Sequence, residues 1–140
     1  MIKTVERRIV KGAEGVARFV LEHIEEIIGG ATVNFAADCP QEPEAVTGDI
    51  DEYRNNSDGW YGIEECASQK HFDHDSDATV LYLDYYGDFV VPALVVYDPD
   101  YPSRCIDELV NELVCLAWQM GDRLPNESCF YAEVVDFEAV

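Results

Sequence analysis

The chain has 140 residues, of which 48% are hydrophobic and 11% aromatic, and its formal net charge is −20 at pH 7. This composition supports a packed core and excludes a disordered chain, which would have few aromatic residues. Nine basic against 29 acidic residues exclude direct binding to nucleic acid or to an anionic membrane, because both ligands need clustered Lys and Arg.

The negative charge lies almost entirely in one part of the chain. Residues 1–37 carry five acids and five bases, whereas the other 103 residues carry 24 acids and four bases. A surplus of one sign destabilises the folded state through self-repulsion, and it speeds association with a partner of opposite sign. The sequence therefore predicts a partner protein with a basic surface.

Residues 2–10 fit either a helix or a strand. We favour a helix, because Val5 and Ile9 extend the stripe of the helix that follows them. Gly12 and Gly15 would each cost about 1 kcal/mol inside a helix, so a break is expected near them.

An amphipathic helix is predicted over residues 13–29, followed by a short strand over 31–37. The apolar positions of the helix recur with helical spacing: Val16, Phe19, Val20, Ile24, Ile27 and Ile28. Gly29 and Gly30 end it, as a left-handed cap does. His23 lies at the margin of the apolar face, where we expect a packed residue rather than a ligand.

Residues 38–77 form an acidic insert with twelve acids and two bases, punctuated by Pro, Gly and Asn. Forty residues of bare loop are uncommon in a compact domain, so part of the insert is expected to be ordered. Trp60, Tyr61 and Ile63 are its predicted anchors, and a short helix is predicted over 63–72.

The second half of the chain predicts a hairpin, a helix and a last strand. The hairpin joins strands over 78–85 and 89–97. Proline cannot donate to a ladder, so Pro92 predicts that the second strand lies at a sheet edge or is bulged there. A strand over 128–137 ends the series. The helix between them has this predicted buried stripe: Ile106, Leu109, Val110, Leu113, Ala117 and Met120.

The order of these elements predicts an α+β fold. We expect residues 1–140 to form a single domain, with a small antiparallel or mixed sheet packed by two amphipathic helices and with the acidic insert 38–77.

Two groups of residues resemble metal ligands. The segment 73–84 matches an EF-hand calcium loop at several positions, with Ala78 in place of the usual glycine. The acids at its ligand positions are Asp73, Asp75, Asp77 and Asp84. Cys66, His71 and His74 could bind zinc, although their spacing matches no zinc signature. We therefore predict neither a metal site nor a cofactor, and keep calcium or zinc binding as a further alternative.

The cysteines and the lack of a catalytic motif argue against an enzyme. Five widely spaced cysteines without an export signal predict reduced thiols and a cytoplasmic location. A Cys-His nucleophile needs a positive environment, which this acidic chain does not provide. The sequence contains no nucleophile elbow, dinucleotide fingerprint or P-loop, so no catalytic residue is predicted.

The leading hypothesis is an acidic inhibitor that binds the basic, nucleic-acid-binding site of a partner enzyme. It would act like the DNA-mimic proteins of the anti-restriction, anti-CRISPR and nuclease-immunity classes, with carboxylates in the places of phosphates. The predicted partner-binding residues are Asp49, Asp51, Glu52, Asp58, Trp60, Tyr61, Glu64, Glu65, Asp73, Asp75, Asp77, Asp107, Glu108 and Glu112.

The main alternative is a small acidic dimeric secretion chaperone or adaptor, in which two copies of this chain form a homodimer. Such a protein would bind through apolar grooves and strand edges rather than by charge. Binding that does not respond to salt would favour it.

Overall fold

A computed structural model describes residues 3–36, 60–65, 79–85 and 92–136, which form one six-stranded sheet and three helices. The strands are β1 (Lys3–Lys11), β2 (Thr32–Ala36), β3 (Tyr61–Glu65), β4 (Thr79–Tyr85), β5 (Ala93–Tyr97) and β6 (Cys129–Asp136). The helices are α1 (Gly12–Glu22), α2 (Ile24–Ile28) and α3 (Pro102–Gln119). The α+β prediction is confirmed. In this part of the chain, no helix is long and apolar enough to cross a membrane.

The sheet has the order β1-β6-β2-β3-β4-β5, and every neighbouring pair is antiparallel. The strand β6 therefore lies between the first two strands of the chain. Among the described residues, β1 and β5 are the two edges, which agrees with one of the two alternatives that Pro92 predicts. β5 begins at Ala93, so Pro92 precedes this strand and does not interrupt it, and residues 89–91 lie outside the described residues.

The helix predicted over residues 2–10 is wrong, because these residues contain most of β1, which pairs with β6. Val5 and Ile9 are four positions apart, a spacing that puts two side chains on one face of a helix and also of a strand. The neighbouring residues Arg7 and Arg8 show the two-residue period of a strand. Arg8 contacts α1 on one face of the sheet, whereas Arg7 pairs with Glu133 on the other.

Gly12 makes the turn from β1 into α1. Its φ is +64°, in the left-handed region that favours glycine. A Cβ atom there would lie only 2.7 Å from the Cα atom of Asn126, and the Gly12 amide donates to the Ser128 carbonyl oxygen at 2.8 Å. Close approach of the 125–128 turn therefore requires a glycine where β1 ends.

The helix predicted over 13–29 is two helices, since His23 interrupts the helical backbone between α1 and α2. The amphipathic pattern itself holds, because Val16, Phe19 and Val20 of α1 are buried. A left-handed glycine follows α2 at Gly30, whose φ is +110°.

The short helix predicted over 63–72 is wrong at its start, because Ile63 to Glu65 belong to β3; residues 66–72 lie outside the described residues. Tyr61 is an anchor of this strand, as predicted. Its ring stacks on Phe35 with 4.9 Å between centroids and meets Tyr85 edge-on at 4.9 Å.

The core lies between one face of the sheet and the helices, with α1 and α3 packed side by side and α3 also packed against β5. The opposite face is buried at its centre as well, and its buried residues include polar ones. Thr32, Asn34 and Glu133 are each less than 5% exposed, and Glu133 lies 3.5 Å from Arg7. A buried carboxylate on this face needs that pairing to offset its desolvation.

Candidate interaction surface on helix α3

The predicted partner-binding residues divide into three groups. Those of β3, together with Trp60 just before it, and those of α3 are described by the structure. The remaining seven lie outside the described residues: Asp49, Asp51, Glu52, Asp58, Asp73, Asp75 and Asp77. The calcium-like segment is described only from Thr79 onward, where it is strand β4, and the cysteine and histidines of the zinc-like group also lie outside.

The residues of β3 do not form an exposed surface with those of α3. Tyr61 is fully buried, which corrects its assignment as a partner contact. Trp60 is half-buried and meets Tyr131 edge-on. Glu64 and Glu65 are half-buried, and Glu64 accepts a hydrogen bond from the Thr32 hydroxyl at 3.5 Å. Since side chains alternate along a strand and Ile63 enters the core, Glu64 faces away from the helices.

Helix α3 begins at Pro102, whose missing amide is tolerated in the first turn. It buries Cys105, Leu109, Leu113, Leu116 and Ala117, a stripe slightly rotated from the predicted one. Three residues expected there are only half-buried against the core: Ile106, Val110 and Met120.

The three predicted acids of α3 lie away from its buried stripe. Asp107 is exposed, and Glu108 and Glu112 are half-buried. Arg104 is the only base on the helix, and its Nε atom lies 3.3 Å from Glu108 Oε1. Exposed pairs at this spacing contribute a few tenths of a kcal/mol. The helix surface therefore stays negative.

Sequence reasoning missed the most exposed large apolar residue of this helix. Trp118 is 73% exposed and lies one turn after Val114, which is also exposed. Val114, Asn111 and Asp107 precede Trp118 by four, seven and eleven residues. Residues at these spacings lie on the same face of a helix as Trp118. This was the signal available in the sequence. We name Asp107, Glu108, Glu112, Val114 and Trp118 the α3 surface.

A second charged group, the Arg8 cluster, joins β1 to the end of α1 and consists of Glu6, Arg8, Glu22 and His23. The Arg8 guanidinium donates to Glu6 Oε1 and to Glu22 Oε2, both at 2.7 Å, and its Cζ lies 5.1 Å from the centroid of the Phe19 ring. His23 Nε2 contacts Glu6 Oε2. This cluster spans the His23 break between the two helices.

Arg8 determines the electrostatics of that cluster. Its hydrogen bond lowers the pKa of the Glu6 carboxyl, and the hydrogen bond to Glu6 in turn raises the pKa of Arg8. The ligand atoms of Glu6, Glu22 and His23 lie within 4.8 Å of one another, a separation that suits a metal ion. The guanidinium already bridges the two carboxylates as their cation, so the cluster is better described as an ion-pair network.

The cysteine on the buried face of α3 is unsuited to nucleophilic chemistry. Burial, and then the nearby Glu108 carboxylate, raise the pKa of the Cys105 thiol to about 11. The nucleophilic form of cysteine is the thiolate, which this environment disfavours at neutral pH. Cys105 therefore serves α3 as a small apolar residue.

No protein-family model matches this chain, and comparisons with curated proteins and with solved structures find no match either.

Proposed function

We propose that the protein is an acidic binding module that docks through the α3 surface onto a basic, nucleic-acid-binding site of another protein. The observation that carries this proposal is the exposure of Trp118 on a helix whose other solvent-accessible residues include acids. The Trp118 side chain is 73% exposed, so most of its apolar surface is in contact with water. Burial of that surface against a partner would contribute favourable free energy to binding.

The chemistry of the α3 surface suits a basic partner. Tryptophan is among the residues that contribute most to protein interfaces when it enters a pocket. The carboxylates of Asp107, Glu108 and Glu112 would pair with Arg and Lys around that pocket, and such charge-assisted hydrogen bonds are the stronger kind. The net charge of −20 would raise the association rate.

The mechanism would be competition with a nucleic acid. A basic site that accepts phosphates can accept carboxylates at similar places, and one ligand then excludes the other. The acids predicted in the 38–77 insert would extend this contact beyond α3. The protein would thus inhibit its partner by occupying the site rather than by chemistry.

The test is capture of partners on the immobilised full chain, followed by affinity measurement with the purified captured protein. Trp118→Ala should weaken binding by about tenfold or more, the loss typical of a hot spot. Tyr101→Ala is the matched control, since Tyr101 is also an exposed aromatic residue, at the other end of α3. Circular dichroism confirms that both variants remain folded.

The same complex tests the charge and the competition. Affinity should fall steeply between about 0.1 M and 0.5 M salt, because exposed charges are screened. Added duplex DNA or RNA should be displaced from the partner. Salt-independent binding, or free formation of a ternary complex with nucleic acid, would rule out this function and leave the chaperone-type alternative.

A further inference from the structure

The two edges of the sheet differ in how they are protected from pairing with other strands. β1 carries charged residues at five of its nine positions and has a register irregularity between Thr4 and Glu6. Both features are common ways of blocking an edge. β5 has the sequence Ala-Leu-Val-Val-Tyr, with no charged residue, and Leu94 and Val96 are each 40% exposed.

In the part of the chain that the structure describes, β5 is paired on one side only. One side of it pairs with β4, from Ala93 opposite Leu83 to Tyr97 opposite Thr79. Within the described residues, no strand lies on its other side. Such an edge presents a row of amide and carbonyl groups, which an extended peptide can extend as a new strand.

We propose that β5 accepts an extended, basic segment of the partner protein as a seventh strand of the sheet. This inference rests on the proposed function, because it names how the same basic partner reaches the protein. Leu94 and Val96 project from one face of β5 and would contact apolar side chains at alternate positions of the segment. Lys or Arg would occupy the other positions, on the face covered by α3.

Charge complementarity selects this occupant over a second copy of the chain. Asp98 and Asp100 follow β5 directly, and α3, with its three acids, packs against β5. A second copy paired through its own β5 would bring a second acidic α3 beside the first, at a cost in repulsion. A basic segment would instead bring positive charge to the same place.

Two synthetic peptides test the pairing. The first is a labelled peptide of about eight residues that alternates Lys and Val, the length of an ordinary strand. The second has the same sequence with alternate amides N-methylated, so that charge and apolar surface stay but those amides cannot donate. The first should bind about tenfold or more tightly than the second, and it should slow hydrogen exchange of the β5 amides.

Variants of the protein supply the second readout. Leu94→Lys combined with Val96→Lys should weaken binding of the first peptide by about tenfold or more, through repulsion and loss of apolar contact. The matched control is Val5→Lys combined with Ile9→Lys, which adds the same charge at exposed positions of the other edge strand. It should change binding by much less, and thermal melts confirm folding of both variants.

The outcomes separate this inference from the proposed function. Equal binding of both peptides, no binding of either, or equal effects of the two double variants would overturn pairing at β5, whatever the behaviour of Trp118→Ala with the captured partner. If the peptides behave as expected but the captured partner ignores Trp118 and salt, the β5 site stands and docking through the α3 surface fails.

Discussion

The Arg8 cluster and the α3 surface differ in whether their charged side chains are paired within the fold. In the cluster, one guanidinium serves two carboxylates and covers an aromatic ring, so nearly every charge has a partner within the fold. On α3, three acids stand against one arginine, which pairs with Glu108, and the same helix carries an exposed indole. Charges that are satisfied internally stabilise the fold, whereas charges left unsatisfied are available to a partner. Substitutions should therefore separate stability from binding.

The largest effect on stability is expected where β1 turns into α1. Gly12→Ala should lower the free energy of unfolding by about 3 kcal/mol, because alanine is strained at positive φ and its methyl group meets the 125–128 turn. Urea denaturation measures this. Gly121→Ala, just after α3, is the matched control: its φ is +75°, but nothing lies within 4 Å of the added Cβ. Equal losses in the two variants would contradict the steric argument.

A smaller effect is expected at the contact that ties β3 to the end of α3. The buried Tyr61 hydroxyl donates a hydrogen bond to Asp122 Oδ2. Tyr61→Phe keeps the ring stack and removes this bond to a charged acceptor, so it should cost about 1.5 kcal/mol in a thermal or urea melt. Tyr101→Phe removes an exposed hydroxyl and should have no measurable effect. A Tyr61→Phe variant as stable as the wild type would show that packing alone holds Tyr61.

Arg8→Met should cost about 1 kcal/mol at pH 7, because it keeps an apolar stem but removes the bonds to Glu6 and Glu22 and the guanidinium next to the Phe19 ring. The pKa of Glu6 is lowered in the folded state, so its contribution is fully present above its unfolded pKa and is lost as pH falls through the folded value. The stability difference between wild type and variant should therefore shrink in acid.

The control for that pH series is Arg18→Met, which breaks only the exposed i,i+4 pair with Glu14 on α1. Its effect should stay within a few tenths of a kcal/mol. A difference between wild type and Arg8→Met that does not change from pH 7 down to about pH 3 would assign the effect of Arg8 to packing rather than to charge.

The smallest effect on stability is expected on the α3 surface. Asp107→Asn combined with Glu112→Gln should change the free energy of unfolding by less than about 0.5 kcal/mol, and upward if at all, because it relieves self-repulsion. The same variant should slow association with the basic partner more than it speeds dissociation. Stopped-flow or surface-based kinetics separate the two rates. A loss of stability as large as that of Arg8→Met would contradict the claim that the acids of α3, unlike the Arg8 cluster, do not stabilise the fold.

The sequence predicted best the elements whose side-chain pattern has one period. Leu109, Leu113 and Ala117 repeat as a helix does, and the predicted strands around Val33 and Leu81 lie within a residue or two of β2 and β4. The period was ambiguous in residues 2–10, where Val5 and Ile9 fit both structures. In β3, the alternation of Tyr61 and Ile63 was too short to distinguish a strand from the start of a helix.

The candidate sites were harder to predict, because they depend on which elements meet. The Arg8 cluster forms only when β1 is a strand that passes the end of α1, so predicting a helix there hid it. Trp118 lies outside the predicted buried stripe of α3, and a helical pattern that predicts burial does not mark an exposed aromatic residue as a contact. The burial of Tyr61 follows from its stack on Phe35, a contact between β2 and β3 that their local patterns do not specify.

The position of β6 between β1 and β2 affects how the protein can fold while it is being synthesised. The strands β1 and β2 are synthesised before β6, but they do not pair with each other, and each lacks a neighbour on one side until Cys129–Asp136 enters between them. Until then, β1 has no partner strand, β2 can pair only with β3, and the apolar face of α1 has no complete sheet to pack against. Such intermediates aggregate readily, so a stalled or slowly translated chain would depend on chaperones until residue 136 has left the exit tunnel.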